Sequence, residues 1–413
     1  MLGRRRVAIR ERSRVPVEGT GFPGRSASVA AVSFGAREPA AEGVRAISPS
    51  THAMRLFDTI AGMGHEQLVL CHDKSTGYRG IIAIHDTTLG PALGGTRFWN
   101  YASDEEAIVD ALRLARGMTY KNAVAGLNLG GGKSVIIGDN RTTNREMVFR
   151  AHGRFVDSLG GRYVTAEDVG TSVLDMDFVH METDYVAGLA EGSGDPSPVT
   201  ARGVFRAMQA AAKSRWGSDD LAGRTVAIQG CGNVGFHLSK ELRAVGARLV
   251  VGDIDAARVQ RVVDATGADV VPADVIMTQQ VDVFAPCALG GILNDDTIPT
   301  LRCEMVVGAA NNQLLEDRHG DMLVQRGITY APDYVANAGG VINVYSELAG
   351  WDRQRSLRKA DEIYQTILNI FDIAKADGVR PHEAADTLAE RRIAAVRGMV
   401  RTWPPFPNKY GSD

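Results

Sequence analysis

Gly230-Cys231-Gly232-Asn233-Val234-Gly235 stands between an apolar β-type run, TVAIQG (225–230), and an amphipathic stretch that reaches about Val245. That placement constrains the chain more than any other feature. G-x-G-x-x-G alone is a weak string, but a strand before it and a helix after it are what a dinucleotide-binding turn requires. Its glycines allow a tight turn and let a pyrophosphate approach backbone N–H groups at a helix N-terminus. The next β-type run, ARLVVGD (247–253), ends on Asp253, where an acid can meet the adenosine ribose hydroxyls and repel a 2′-phosphate. Gly230, Gly232, Asn233, Val234, Gly235 and Asp253 are therefore expected to hold NAD rather than NADP. The plain alternative is a glycine-rich turn beside an exposed acid.

The rest of the chain from Met54 onward reads as regular α/β. QLVLC (67–71), YRGIIAIHD (78–86), KSVIIGD (133–139) and RYVTA (162–166) are expected strands. A long helix is expected from Asp104 to Val124, with Ser103 and Glu106 forming a capping box. AEGSGDPSPVT (190–200) is turn-rich and reads as a boundary, followed by a helix from Ala201 to Trp216. VDVFAPCA (281–288), MVVGAA (305–310) and ITYAPD (328–333) continue the second strand series, and two long helices are expected beyond Asn337. The fold class expected is α/β with two domains: an N-terminal substrate-binding domain over 54–190 and a Rossmann-type domain over 191–343, with a catalytic cleft between them. Helices in 344–413 should return toward the first domain.

Residues 1–53 are rich in Arg, Ser, Pro, Gly and Ala and carry no sustained apolar period. They resemble neither a secretory signal nor, with four glutamates, a good transit peptide. A disordered extension is expected, or a start placed too early, with Met54 as the natural beginning.

Composition excludes several classes. Basic and acidic residues nearly balance, for a formal net charge of -3, so nothing favours nucleic acid or an anionic membrane as partner. No apolar run approaches a membrane span. The four cysteines are scattered, without ligand spacing, and read as reduced thiols of a cytoplasmic protein with no metal site.

A second unusual string is GLNLGGGKS (126–134), with Lys121 shortly before it. Gly132-Lys133-Ser134 ends like a phosphate loop, but the first glycine of G-x-x-x-x-G-K would fall on Leu127, and the string follows a helix rather than a strand. A lysine behind three glycines is instead closely approached by backbone and poorly solvated. Desolvation and a nearby cation both lower its pKa toward that of a general base. Lys121 could supply that cation while binding a carboxylate, and Asp168, in TAEDVGT, could shuttle protons. Taken singly each would be a surface lysine or a capping aspartate; their conjunction beside a dinucleotide fold carries the reading.

IAIHDTTLGPALGGTRFW (82–99), ALRLARGMTYKNAVAGLNLGGGKSVIIGD (111–139), RYVTAEDVGT (162–171), DVFAPCALGG (282–291), GAANNQL (308–314) and YAPDYVANAGGVINV (330–344) resemble the leucine/valine/phenylalanine dehydrogenase branch of the glutamate dehydrogenase superfamily. The resemblance runs from Met54 to about Arg392. It implies that Lys121 holds the substrate α-carboxylate, Lys133 activates the water that attacks the imine carbon, and Asp168 passes protons to and from the amine. It places Thr200, Asn311 and Asn337 at the nicotinamide carboxamide or ribose; for the asparagines, strand-end capping is the plain alternative. Glutamate enzymes carry a lysine at the fourth position of G-P-x-x-G-G, where this chain has Leu93, and a serine where it has Val344.

A pocket of Leu93, Gly94, Ala166, Val341 and Val344 offers no partner for a second carboxylate, whose unpaired burial is costly. An aliphatic side chain gains roughly 0.8 kcal/mol per buried CH₂. The expected reaction is reversible NAD-dependent deamination of a branched-chain amino acid to its 2-oxo acid and ammonia, in a homo-oligomer. HDTTLGPALGG and AEDVGT lean toward leucine over valine, and β-branched Val341 disfavours phenylalanine. Two readings of other classes stay open: a non-catalytic NAD-binding protein, which would lack one of Lys121, Lys133 and Asp168, and a 2-hydroxy-acid dehydrogenase, which would need a His or Arg constellation.

Overall fold

A computed structural model describes residues 54–399, except 191 and 193, so the expectation for 1–53 lies outside the described residues. The chain builds two sheets. A short helix α1 (Leu56–Gly62) leads into β1 (Gln67–Asp73), β2 (Tyr78–Asp86) and β3 (Ala92–Trp99), then the long helix α2 (Asp104–Val124) and β4 (Gly130–Ile137). Helix α3 (Arg145–Asp157), β5 (Tyr163–Glu167) and α4 (Val173–His180) complete this part. Its sheet has the order β1-β2-β4-β3-β5, antiparallel as far as β4 and parallel beyond.

Two details of this half differ from the sequence expectation. Gly130, Gly131 and Gly132 lie inside β4, fully buried, rather than in a loop before it. Strand β3 was not expected, because its two glycines and Arg97 break the apolar run ALGGTRFW. The capping of α2 is also shared differently. Ser103 accepts from the Glu106 amide, but the Glu106 carboxylate turns to the amide of Ala102 at 2.8 Å.

Helix α2 lies close on β4 because its inner face carries Ala107, Ala111, Ala115 and Thr119 at steps of four. Gly131 is what Thr119 rests on: a Cβ there would stand 2.1 Å from the Thr119 amide nitrogen and 2.5 Å from the Ala115 carbonyl. Asn122 then pins the end of α2 to the sheet by donating to the Gly130 carbonyl at 2.6 Å. The last turn of α2, with Lys121, is thereby held over the strand that carries Lys133.

The opposite face of the sheet holds a buried polar chain. The Tyr78 hydroxyl meets His152 Nδ1 at 2.8 Å and His152 Nε2 meets Thr96 Oγ1 at 2.9 Å. Thr96 in turn contacts Ser134 and Thr165 at 2.7 and 2.5 Å, and Tyr163 donates to the Gly94 carbonyl at 2.5 Å. Thus β3, β4 and β5 are cross-linked by hydroxyls beneath the site, where hydrogen-bonded burial avoids the cost of orphaned groups.

The second half begins with α5 (Ser197–Trp216), four residues earlier than expected because Pro196 and Ser197 open the helix. Strand β6 (Thr225–Gln229), α6 (Asn233–Ala244), β7 (Arg248–Gly252), α7 (Ala256–Thr266), β8 (Asp269–Val270), β9 (Val283–Pro286), β10 (Met305–Val306), α8 (Arg318–Gln325) and β11 (Thr329–Tyr330) follow. The order is β11-β10-β9-β6-β7-β8 and every pairing is parallel, the doubly wound arrangement in which strand order reverses between β6 and β9. The remainder is a one-turn helix α9 (Asp333–Ala336), then α10 (Gly339–Leu348), α11 (Arg353–Asp361), α12 (Ile363–Asp377) and α13 (Pro381–Arg397). Four helices thus follow Asn337 where two were expected. The first three pack on α5, and α13 packs on α2. Arg392 of α13 donates to the Ala123 carbonyl at 2.8 Å, satisfying the open end of α2. All four cysteines are unpaired, and no helix among the described residues is long and apolar enough to cross a membrane.

Burial holds the His152 imidazole neutral, with its pKa lowered to about 3. The folded state therefore binds no proton where an unfolded histidine does, and stability falls as pH drops from 6.5 toward 3. Urea unfolding should show a loss of about 2 kcal/mol from this group between pH 6.5 and 5, reduced in His152→Gln. Equal stability at the two pH values would contradict the neutral assignment.

Candidate active site

Alternation along the three parallel strands decides which side chains meet. Leu93, Gly95 and Arg97 of β3 lie in register with Gly131, Lys133 and Val135 of β4. Gly95 also pairs with Ala166 of β5, one residue before the strand-end Glu167 and two before Asp168. Since side chains of period two share a face, Leu93, Arg97, Lys133, Ala166 and Asp168 project toward α2.

Gly95 sits between the lysine strand and the aspartate strand and leaves the space above it free. Across that gap Lys133 Nζ reaches Asp168 Oδ2 at 2.9 Å. A Cβ on Gly95 would stand 2.8 Å from the Asp168 Cβ and 2.5 Å from the Glu167 carbonyl. The glycine that the sequence reading named, Gly94, points to the other face, where a Cβ would meet the Gly132 carbonyl at 1.7 Å. Gly94 therefore serves the strand packing, and Gly95 clears the site.

Lys133 is only 4% exposed, and burial lowers its pKa despite the opposing charge of Asp168. Arg97 is a neighbouring cation that adds to this lowering and that the sequence reading did not name. Arg97 Nε contacts Asp168 Oδ2 at 3.1 Å, and its NH1 contacts Asp110 of α2 at 2.7 Å. Burial pushes the Asp168 carboxyl up, but Lys133 and Arg97 outweigh it and hold it below the usual carboxylate range. Lys121 is lowered to about 8, first by burial, with Lys133 as a further cause and Asp333 and Asp168 opposing. Sequence reasoning missed Arg97, Asp110 and Gly95. The signal for the first two was weak, since an arginine in an unread strand and an aspartate on an exposed-looking helix turn are ordinary surface features.

Lys121 also reaches across to the second half of the chain, donating to Asn311 Oδ1 at 3.4 Å. The same oxygen accepts from Asn337 Nδ2 at 2.8 Å. Asn311 and Asn337 thus sit where the two halves meet. Thr200 is buried on α5, bonded to its own helix at the Pro196 carbonyl, 3.0 Å away, and close to Gly340. Leu93 and Val341 are buried in one apolar cluster, and Val344 packs at its edge. Ala166 is outside that cluster, on the lysine face of the sheet.

A cleft of about 750 Å³ opens at the switch point of the second sheet, lined by Gly230, Gly232, Asp253, Cys287 and Ala288 among others. Gly232 has nothing near its missing Cβ, so a ligand can approach its backbone, whereas Gly235 lets α6 pack against the Gly230 carbonyl, 2.1 Å from where a Cβ would be. Asn233 and Val234 form the first turn of α6, whose free N–H groups suit a phosphate. Asp253 lies at the rim and steadies the turn, its carboxylate accepting from the Cys231 and Asp255 amides at 2.6 and 2.9 Å. Gln229 Oε1, which lines this cleft at the end of β6, is buried without a partner among the described residues, as is Asn337 Oδ1 beside Asn311. Orphaned acceptors of this kind fit a ligand that brings N–H or O–H donors.

A doubly wound sheet with an open switch-point cleft, joined through the Lys121–Asn311 contact to a second sheet that pairs a buried lysine with a half-buried aspartate, is the architecture of a nucleotide-dependent dehydrogenase. Comparison with known proteins agrees. Residues 65–185 match the family description "Glu/Leu/Phe/Val dehydrogenase, dimerisation domain", and residues 192–256 and 251–399 match "Glutamate/Leucine/Phenylalanine/Valine dehydrogenase". A leucine dehydrogenase of Thermoactinomyces intermedius is 57% identical, and one of Bacillus cereus 55% identical, each over 85% of this chain and 96% of the relative. The crystal structure of L-tryptophan dehydrogenase from Nostoc punctiforme aligns with a TM-score of 0.77 at 48% identity, over 83% of this chain and 99% of that one. The chain belongs to the Glu/Leu/Phe/Val dehydrogenase family and is an amino-acid dehydrogenase.

Gly95→Ala should separate Lys133 from Asp168 without touching the nucleotide cleft. Turnover is expected to fall on the order of 100-fold, the usual cost of an ångström-scale misplacement, with NADH binding by fluorescence unchanged. Wild-type turnover in this variant would show that the contact across Gly95 is dispensable.

Proposed function

We propose that the protein catalyses the reversible NAD-dependent oxidative deamination of a branched-chain L-amino acid, L-leucine ahead of L-valine and L-isoleucine. NAD, when bound, would supply the acceptor for the hydride lost from Cα, and the substrate imine so formed takes up water. Lys133, whose burial lowers its hold on a proton, cycles through its neutral form and removes the proton from that water as it attacks the imine carbon. Asp168 carries protons to and from the nitrogen until ammonia departs and the 2-oxo acid remains. Lys121, charged, holds the α-carboxylate. Gly230, Gly232, Asn233, Val234 and Gly235 would hold the pyrophosphate, Asp253 the adenosine ribose, and Asn337, Asn311 and Thr200 the nicotinamide carboxamide or ribose. The free acceptor of Asn337 supports a carboxamide partner, and the carboxylate at the cleft rim supports NAD over NADP.

The observation that carries the reading is the 2.9 Å contact of Lys133 with Asp168 on the sheet face shared by apolar Leu93 and Ala166, with Val341 buried in the same apolar cluster as Leu93. None of these three can pair with a second carboxylate, so glutamate is disfavoured by desolvation. Lys133–Asp168 geometry and an apolar pocket together also speak against the non-catalytic and 2-hydroxy-acid alternatives. Valine is the nearest rival substrate, since one methylene changes discrimination by only about 1–3 kcal/mol. We further propose a substrate domain over 54–190, an NAD domain over 191–343, closing helices over 344–413, and a cytoplasmic homo-oligomer. The dimerisation description matched by residues 65–185 supports the homo-oligomer.

Formation of NADH can be followed by absorbance with NAD and each of L-leucine, L-valine, L-phenylalanine and L-glutamate. The expected order of kcat/KM is leucine above valine, with phenylalanine and glutamate far below; highest activity with glutamate would overturn the pocket assignment. Lys133→Ala should lose turnover and keep NADH binding. Lys121, with a pKa of about 8, loses the charge that holds the carboxylate above that pH. Inhibition by 4-methylpentanoate, which has the carboxylate but no amine, should therefore weaken about tenfold from pH 7 to 9; a flat profile would remove Lys121 from carboxylate binding.

A further inference from the structure

Asp168 is held by two cations at a single oxygen. Lys133 Nζ and Arg97 Nε both contact Oδ2, at 2.9 and 3.1 Å. Arg97 is itself fixed from behind: its NH1 meets Asp110 Oδ2 at 2.7 Å, the Tyr101 hydroxyl donates to the same oxygen at 2.7 Å, and Arg113 contacts Asp110 Oδ1 at 3.0 Å. The side chains of Arg97 and Asp110 are 21% and 15% exposed, so water screens this chain of charges only in part. A planar guanidinium can span two carboxylates at once, which a lysine ammonium at the end of a flexible stem cannot reproduce.

From this geometry we infer that Arg97 is a positioning residue for the dehydrogenase reaction: it fixes the Oδ2 edge of Asp168 and keeps that carboxylate ionised, while Asp110 and Tyr101 hold the guanidinium in place. The inference rests on the reading of Lys133 and Asp168 as the reacting pair.

The other charged or titratable groups around Asp168 are Lys121 from α2, Glu167 beside it on the chain, and Tyr163 of β5. Among the described residues, Lys133 and Arg97 are the cations in direct contact with it. Removing Arg97 changes two proton affinities in the same direction. Asp168 loses a cation that holds its carboxyl down, so it protonates at a higher pH. Lys133 loses a like charge that opposes its protonated form, so it keeps its proton to a higher pH. Both changes move the acid limb of activity upward, whereas a merely structural role would lower activity without moving it.

The test is the pH profile of kcat/KM for L-leucine with NAD in Arg97→Met, Arg97→Lys and Asp168→Asn, together with NADH binding by fluorescence. In Arg97→Met, kcat should fall on the order of 100-fold, the acid limb should rise by about one pH unit, and NADH affinity should change less than threefold. Arg97→Lys keeps the charge without the fork. Its acid limb should stay near that of the parent while kcat remains reduced, and it decides the matter if Arg97→Met does not fold. A parental kcat in Arg97→Lys, or a loss in Arg97→Met with an unmoved acid limb, overturns the inference. Parental turnover in Asp168→Asn would instead overturn the reading of the reacting pair beneath it.

Discussion

The contact between Lys133 and Asp168 exists because no side chain stands between their strands. Gly95 occupies the intervening position of β3, and a single methyl group there would press on Asp168 itself. The same logic operates one layer higher, where Gly131 lets α2 settle onto β4 and bring Lys121 over the sheet. Glycine in a strand interior weakens it through backbone entropy and lost packing. Here that cost is offset from the other face, where Tyr78, Thr96, Ser134, His152, Tyr163 and Thr165 tie the three strands together with buried hydrogen bonds.

The two faces of the first sheet therefore divide the work. One is emptied of side chains so that a lysine and an aspartate can meet in a desolvated space, where their interaction is stronger than in water. The other is filled with short polar groups that fix register, since a slip of one residue would send Lys133 to the wrong face. The second sheet contributes a cleft at its topological switch point and, through Asn311, a hydrogen bond to Lys121 from across the gap.

Much of this was legible in the sequence. The glycine turn declared itself because TVAIQG and the helix after it are strongly patterned, and Asp253 followed from its place at the next strand end. Helix α2 was readable to its last residue from its serine cap and its apolar period. The lysine string was recognised as poorly solvated, but the three glycines read as a loop and are strand. Strand β3 was not read, for glycines weaken the very periodicity by which strands are found, and with it went Gly95 and Arg97. Register between distant strands is a tertiary property, so the pairing of Gly95 with Lys133 and Ala166 could not be read from spacing along the chain.

If Lys133 and Asp168 act as one unit, their losses cannot be independent. A double-mutant cycle on turnover, with Lys133→Ala, Asp168→Asn and the combined variant, measures that coupling directly. The double variant should be no more than about threefold slower than the more damaged single variant, because removing either partner already disables the pair. Fold-losses that simply multiply would contradict the account and assign the two residues to separate steps.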